Sequence, residues 1–274
     1  MYTPVDKAVR VLELLTEGMS VSAVERVTGG HHTTILSLLV QVGERCQRFA
    51  IERVRNVRVR DVQADELWSF IQKKEGHKWP HEYDDDTIGD SYTFVGIERN
   101  TKLVLCWLVG RRTAIHTEDF ISRLRYATAD SDFQLTTDDF QPYGNAVDTG
   151  LSDRADYAHF IKVYRSPREG EARYSPAEVV DTEVVPVMGH PDPKRICTSH
   201  VERQNLTMRM QIRRLTRLTN GFSKTLRNHK AAIALYFCWY NYCRPHRSLR
   251  TTPAMAAELT DHIWTIRELI EALP

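Results

Sequence analysis

Apolar positions at the start of the chain recur at helical spacing. Val5, Ala8, Val9, Leu12 and Leu15 fall on one face of a helix over residues 5–17. Gly18 ends it, Ser20 or Ser22 can cap a second helix, and Ser22 with Glu25 has capping-box spacing. Thr28-Gly29-Gly30 reads as a turn. After it, Ile35, Leu38, Leu39 and Val42 share one face of a third helix over 33–42. Three short helices with a glycine turn before the third predict a helix-turn-helix, which would offer His31, His32, Thr33, Thr34 and Ser37 to a DNA groove. The alternative is a small helical dimerisation bundle.

Beyond residue 53 the period changes to two. Val54, Val57, Val59 and Val62 alternate into a strand that continues through Asp65 to Ile71. Tyr92–Glu98 and Leu103–Val109 are β-rich runs joined by Arg99-Asn100-Thr101, a hairpin signal. Thr117–Ala127 is an amphipathic helix, and Phe133–Thr137 and His159–Tyr164 are short strands. Ser166–Pro193, with several prolines and acids and no period, reads as a long loop or insertion. A long helix starts near Thr198 or Ser199, its inward stripe made of Val201, Asn205, Met208, Ile212 and Leu215, with Arg203, Arg209, Arg213, Arg214 and Arg217 on its flanks. Arg209, Arg213 and Arg217, four apart, form one basic stripe on that helix. A further helix covers about Lys224 to Tyr242. The expected architecture is α/β, a mixed sheet with helices packed on it. Its expected parts are a helical domain over 1–48, a basic connector over 49–60, a main domain over 61–250 and a helical tail over 251–274.

Charge divides the chain more sharply than its net +1 suggests. Lys194–Arg250 carries 13 Lys/Arg and a single acid, Glu202, whereas Asp61–Pro193 carries 14 Lys/Arg and 25 acids. A basic stretch of that density points to a polyanionic partner. No run approaches the ~20 apolar residues of a membrane span, and the first residues have no signal-peptide pattern. The five cysteines (46, 106, 197, 238 and 243) form no CxxC pair, so reduced thiols and a cytoplasmic setting are expected. His31-His32, His77/His81 and Cys197/His200 each lack a four-ligand set, so no structural zinc is expected. Trp79, beside Lys78 and Pro80, is the best candidate for a DNA-facing aromatic, the other tryptophans reading as core. Arg244-Pro245-His246-Arg247 reads as a phosphate-binding helix end or as a solvated tail.

Three acids stand apart from the solvated charges. Asp65 lies in a strand of core-type residues, Asp138 directly follows another strand, and Glu202 opens the basic helix. Acids at neighbouring strand ends can lie close on a sheet rim, and a helix across the rim can add a third. Such a set suits two hard divalent cations about 3.5–4 Å apart, which clamp the attacking and leaving oxygens of a phosphoryl displacement. Singly, each acid also reads as a solvated turn residue, or for Glu202 as the helical partner of an arginine.

Three segments carry these acids: ADELWSFI, TTDDFQPY and HVERQNLTMRMQIRRLTRLTNGFSKTL. Together with the ending YNYCRPHRSLRTTPAMA, they resemble the DDE transposases of the IS-one insertion-sequence group over roughly residues 60–245. The resemblance implies a ribonuclease-H-like core over 61–250, from which the insertion at 166–193 departs by its length; the helix-turn-helix ahead of the core is read from the helical spacing alone. It implies a triad of Asp65, Asp138 and Glu202, with Asp139 as the alternative register for the second acid. It further implies two Mg²⁺ or Mn²⁺ ions, and cleavage and strand transfer of a self-encoded DNA element in a prokaryotic nucleoid. The expected partners are the element's terminal inverted repeats and target DNA, bound by a homodimer or higher oligomer, with no membrane partner. Expected DNA contacts are Thr33, Thr34, Ser37, Arg203, Arg209, Arg213, Arg217, Lys224, Arg244 and Arg247. The competing classes are a non-catalytic helix-turn-helix regulator and a ribonuclease-H-like nuclease without joining activity.

Overall fold

The computed structural model describes residues 4–165 and 178–274. Three helices open the chain: α1 (Val5–Thr16), α2 (Val21–Thr28) and α3 (His32–Arg53). Ser20, not Ser22, caps α2, accepting the Ala23 N–H at 3.2 Å. Glu25 instead accepts the His32 N–H at 3.0 Å, so its carboxylate ties α2 to the start of α3. Gly29 takes the left-handed conformation that ends α2, at φ 62°. Val11, Val24 and Ile35 make a small core between these helices.

Helix α3 is twice the expected length and runs through the arginine-rich residues read as the start of a connector. The reason is packing. Leu39, Val42, Cys46, Phe49 and Ala50 continue the apolar stripe into the main core, while the arginines stay on the other face. At Gly43 the helix touches the backbone of Ala231, where an added Cβ would stand 2.4 Å from the Ala231 carbonyl oxygen. The second half of α3 therefore belongs to the same core as the sheet.

The sheet comprises β1 (Asp61–Ile71), β2 (Gly89–Glu98), β3 (Val104–Gly110), β4 (Phe133–Thr137), β5 (Ala155–Arg165) and β6 (Glu178–Met188). Its order is β3-β2-β1-β4-β5-β6. Pairings β1–β2, β2–β3 and β5–β6 are antiparallel; β1–β4 and β4–β5 are parallel. The first strand begins at Asp61; the alternating valines before it are buried but make only an isolated bridge, Val57 to Thr128. Residues 178–188, expected in a loop, form edge strand β6. Its acids and Pro186 hid it, and both are tolerated at an edge where one side of the backbone faces solvent. Residues 166–177 of the expected insertion lie outside the described residues.

Helices cover both faces. Helix α4 (Ala114–Ala127) and α5 (Pro142–Leu151) lie on one side, with Phe120 stacked near Phe94 of β2. Helix α5 went unrecognised in the sequence, although Tyr143, Ala146, Val147 and Leu151 give it a buried stripe behind a proline start. Helix α6 (Ser199–Gln211) and the apolar α7 (Leu226–Tyr242) lie on the other side, where Phe237 meets Trp107 of β3. Helix α6 stops at Gln211. Ile212 is extended, Arg213–Leu215 is one 3₁₀ turn, and Leu218 has φ 57°. Arg209, Arg213 and Arg217 therefore do not form a stripe on one helix. Short helices α8 (Pro253–Ala256) and α9 (Ile266–Ala272) end the chain. The last residues return to the first helices, with Arg45 donating to the carbonyls of Leu273 and Pro274 and Arg267 paired with Asp6. Among the described residues no helix is long and apolar enough to cross a membrane.

Candidate functional site

The parallel pairing of β1 with β4 sets Gln63 beside Thr136. Two residues further on, the same register brings Asp138 alongside Asp65. Alternation along β1 sends Asp65 toward α6, where it accepts from Asn205 Nδ2 at 2.8 Å. Glu66 points to the opposite side and pairs with Arg112 Nε at 2.9 Å. Asp138, just past the end of β4, serves both sides. Asp65, Glu66 and Asp138 each place a carboxylate oxygen within 4.8 Å of the others. Asp139 is exposed and outside this cluster.

Burial and mutual repulsion govern the protons here. Asp65 is pushed up to about 7, first by burial and then by the Asp138 charge, with Glu202 adding to it. Glu66 is also pushed up to about 7, by burial and then by Asp138. Burial raises Asp138 as well, against the pull of its hydrogen bond from Phe140 and of Arg112. Arg112 Nη2 lies 3.3 Å from Asp138 Oδ2, and its guanidinium sits 3.9 Å over the Phe140 ring. Glu202 stands near enough to act on Asp65 electrostatically but lies outside the three-residue cluster. Both its oxygens are held by Lys162 Nζ from β5, and the Thr198 hydroxyl also donates to it.

Asp65, Glu66 and Asp138 could hold a metal ion. Glu66 is enclosed, its side chain 2% exposed, and its Oε1 is buried without a hydrogen-bond partner among the described residues. Among the described residues, Asp65, Glu66, Asp138 and nearby Glu202 have two ion-pairing cations, Arg112 and Lys162. Oxygen ligands in that number, with unbalanced negative charge, fit Mg²⁺ or Mn²⁺.

The expected DNA contacts divide by environment. Thr33 and Ser37 are exposed and Thr34 half-exposed at the start of α3. Arg203, Arg213, Arg217, Lys224 and Arg247 are exposed, and Arg244 is half-buried with its guanidinium 5.4 Å from the Trp239 ring centroid. Arg209 is different. Its guanidinium donates to the Leu215 carbonyl at 3.2 Å and the Trp68 carbonyl at 3.3 Å, and burial lowers it to about 10. Arg209, expected on DNA, holds the end of α6 against β1. Trp79 is 62% exposed beneath Lys73. His31 and His32 gather with Glu25 at the α2–α3 turn, while His200 contacts Lys102 and Cys197 contacts Gln63.

Sequence reasoning missed Glu66, Arg112 and Lys162. Glu66 is adjacent to Asp65, which in a strand normally means opposite faces. Arg112 and Lys162 carry no local signal, since each reaches its acid across a gap of 26 to 46 residues. No protein-family model matches the chain, and no curated protein matches it.

Proposed function

We propose that the chain is a DNA transposase of the DDE type, which cuts and joins phosphodiester bonds with two divalent metal ions. The observation that carries this reading is the meeting of Asp65 from β1 and Asp138 from the end of β4, with Glu202 of α6 close enough to raise the Asp65 carboxyl. These residues are 73 and 64 positions apart along the chain, and the mixed six-stranded sheet is compatible with a ribonuclease-H-like core.

In this reading Asp65, Asp138 and Glu202 would hold the ions, and Glu66 would add a fourth carboxylate. The ions supply activation of a water or 3′-hydroxyl and stabilisation of the leaving oxygen. Asn205 fixes the rotamer of Asp65, and Thr198 fixes that of Glu202. The exposed arginines at 203, 213, 217 and 247, with Lys224 and Arg244, take backbone phosphates. The first three helices act as a helix-turn-helix, and Thr33, Thr34 and Ser37 read the element's ends in the major groove. Two or more copies assemble on the DNA.

The test uses the full-length protein with Mg²⁺ or Mn²⁺ and duplexes carrying the sequences that flank the gene. Cleavage followed by joining of the 3′-hydroxyl end to a second duplex is the expected result. Cleavage without joining assigns a nuclease instead. Sequence-preferring binding with no metal-dependent cleavage assigns a regulator and overturns the proposal.

A further inference from the structure

Two cations from outside the acid-bearing elements pair with three of the four carboxylates of the centre. Arg112, from the loop before α4, bridges Glu66 and Asp138. Lys162, from β5, grips both oxygens of Glu202. Each cation thus sits on a carboxylate that the metal reading requires. Both side chains keep a route to solvent, at 36% exposure for Arg112 and 24% for Lys162. Lys162 has no other ion-pair partner among the described residues, and Arg112 is otherwise held by the Phe140 ring.

A permanent structural pair in this protein looks different. Asp61, on the same strand, is wholly buried and receives two arginines, Arg99 and Arg195, each at 3.0 Å. There the cations outnumber the acid. At the centre the ion-pairing cations among the described residues number half the acids, and Asp65 pairs with neither.

We infer that Arg112 and Lys162 are internal counter-cations of the metal-free centre, and that metal ions displace them from Glu66, Asp138 and Glu202 on loading. The inference rests on the metal-dependent reading above. A cation paired with a ligand carboxylate must be moved before that carboxylate can serve an ion, and like charges near one ion repel. The two side chains therefore keep four acids together when no metal is bound, and they lower metal affinity by competing for the same oxygens.

Metal binding by the full-length protein tests this without any activity measurement. Free Mn²⁺ is followed by electron paramagnetic resonance in wild type, Arg112→Gln, Lys162→Gln and Asp65→Asn, with folding checked by circular dichroism. The expected result is Mn²⁺ affinity about tenfold tighter in each of the two counter-cation variants and much weaker in Asp65→Asn. Unchanged or weaker binding in both folded counter-cation variants, with Asp65→Asn still weakened, overturns this inference alone. No Mn²⁺ binding in wild type, or equal binding in wild type and Asp65→Asn, defeats the metal reading beneath it. Should either variant not fold, the wild type decides. The Arg112 Nε–H resonance in protein with ¹⁵N-labelled arginine, assigned with Arg112→Lys, shifts on saturation with Mg²⁺ if the pair is exchanged. A resonance unmoved by Mg²⁺ overturns the inference.

Discussion

Strand β1 carries two acidic stations four residues apart, and they are built on opposite principles. At Asp61 one carboxylate is fully enclosed and met by two arginines. At Asp65 and Glu66 the acids meet Asp138 and, nearby, Glu202, and among the described residues Arg112 and Lys162 are their ion-pairing cations. Both stations contain a buried oxygen without a hydrogen bond, Oδ1 of Asp61 and Oε1 of Glu66. An orphaned oxygen therefore does not separate them. Charge balance does: two arginines meet the single acid of the first station, and two cations meet the four acids of the second among the described residues. Close carboxylates without enough cations cost stability, and such clusters are enriched at functional sites.

The comparison can be broken at either station. The largest effect is expected on catalysis. Asp65→Asn, Asp138→Asn and Glu202→Gln should each lower strand cleavage by about a thousandfold or more while DNA binding persists, because one missing ligand disables a shared clamp. Cleavage assays beside gel shifts check this, and near-normal cleavage in all three would remove the two-metal proposal. Asp61→Ala should act on stability instead. It leaves Arg99 and Arg195 facing each other, at a cost of about 3 kcal/mol in urea denaturation. Mn²⁺ affinity of the folded protein should stay at the wild-type value, and a loss of metal affinity would merge the two stations.

A smaller effect of opposite sign is expected at Asp65. Its carboxyl titrates near 7 in the folded protein, against about 4 in an unfolded chain. The folded state thus holds the proton more tightly, and this contribution to stability is complete below pH ~4 and lost as the pH rises through 7. In the presence of EDTA, Asp65→Asn should be more stable than wild type at pH 8 by on the order of 2 kcal/mol, with the gap closing at pH 4. A variant less stable at pH 8 would show that the ionised carboxylate is satisfied as it stands.

The arginines give the finest contrast. Arg209→Gln should cost about 1–2 kcal/mol, through loss of two charge-assisted bonds to backbone carbonyls. The double change Arg213→Gln with Arg217→Gln should leave thermal stability nearly unchanged and flatten log K against log[salt] by about two units on duplex DNA. Salt titrations of binding with melting curves separate the two cases. A flattened slope in Arg209→Gln with normal stability would return that residue to the DNA.

Much of this organisation is written in local patterns. The helical spacing of Val5 to Leu15, the glycine turn at 29–30 and the alternating runs around Phe94 and Leu105 announce their elements because burial selects one face. Asp65, Asp138 and Glu202 stood out as polar residues in apolar or basic settings, and the cluster contains the first two. Other features were hidden by charge. The arginines of 45–53 obscured the apolar face that carries α3 into the core, and the acids and proline of 178–188 obscured an edge strand. Ile212 continues the apolar stripe, so nothing in the spacing marks the end of α6.

The chain's local chemistry thus set the elements, the basic third and the candidate acids. Tertiary structure decided which charges meet. The parallel register of β1 with β4 brings Asp138 to Asp65, the loop before α4 delivers Arg112 to Glu66, and β5 carries Lys162 to Glu202. None of these pairings has a sequence period, because each depends on a non-local strand pairing or loop path. Coulomb energy depends on distance in space and on solvent exclusion, and the fold alone supplies both.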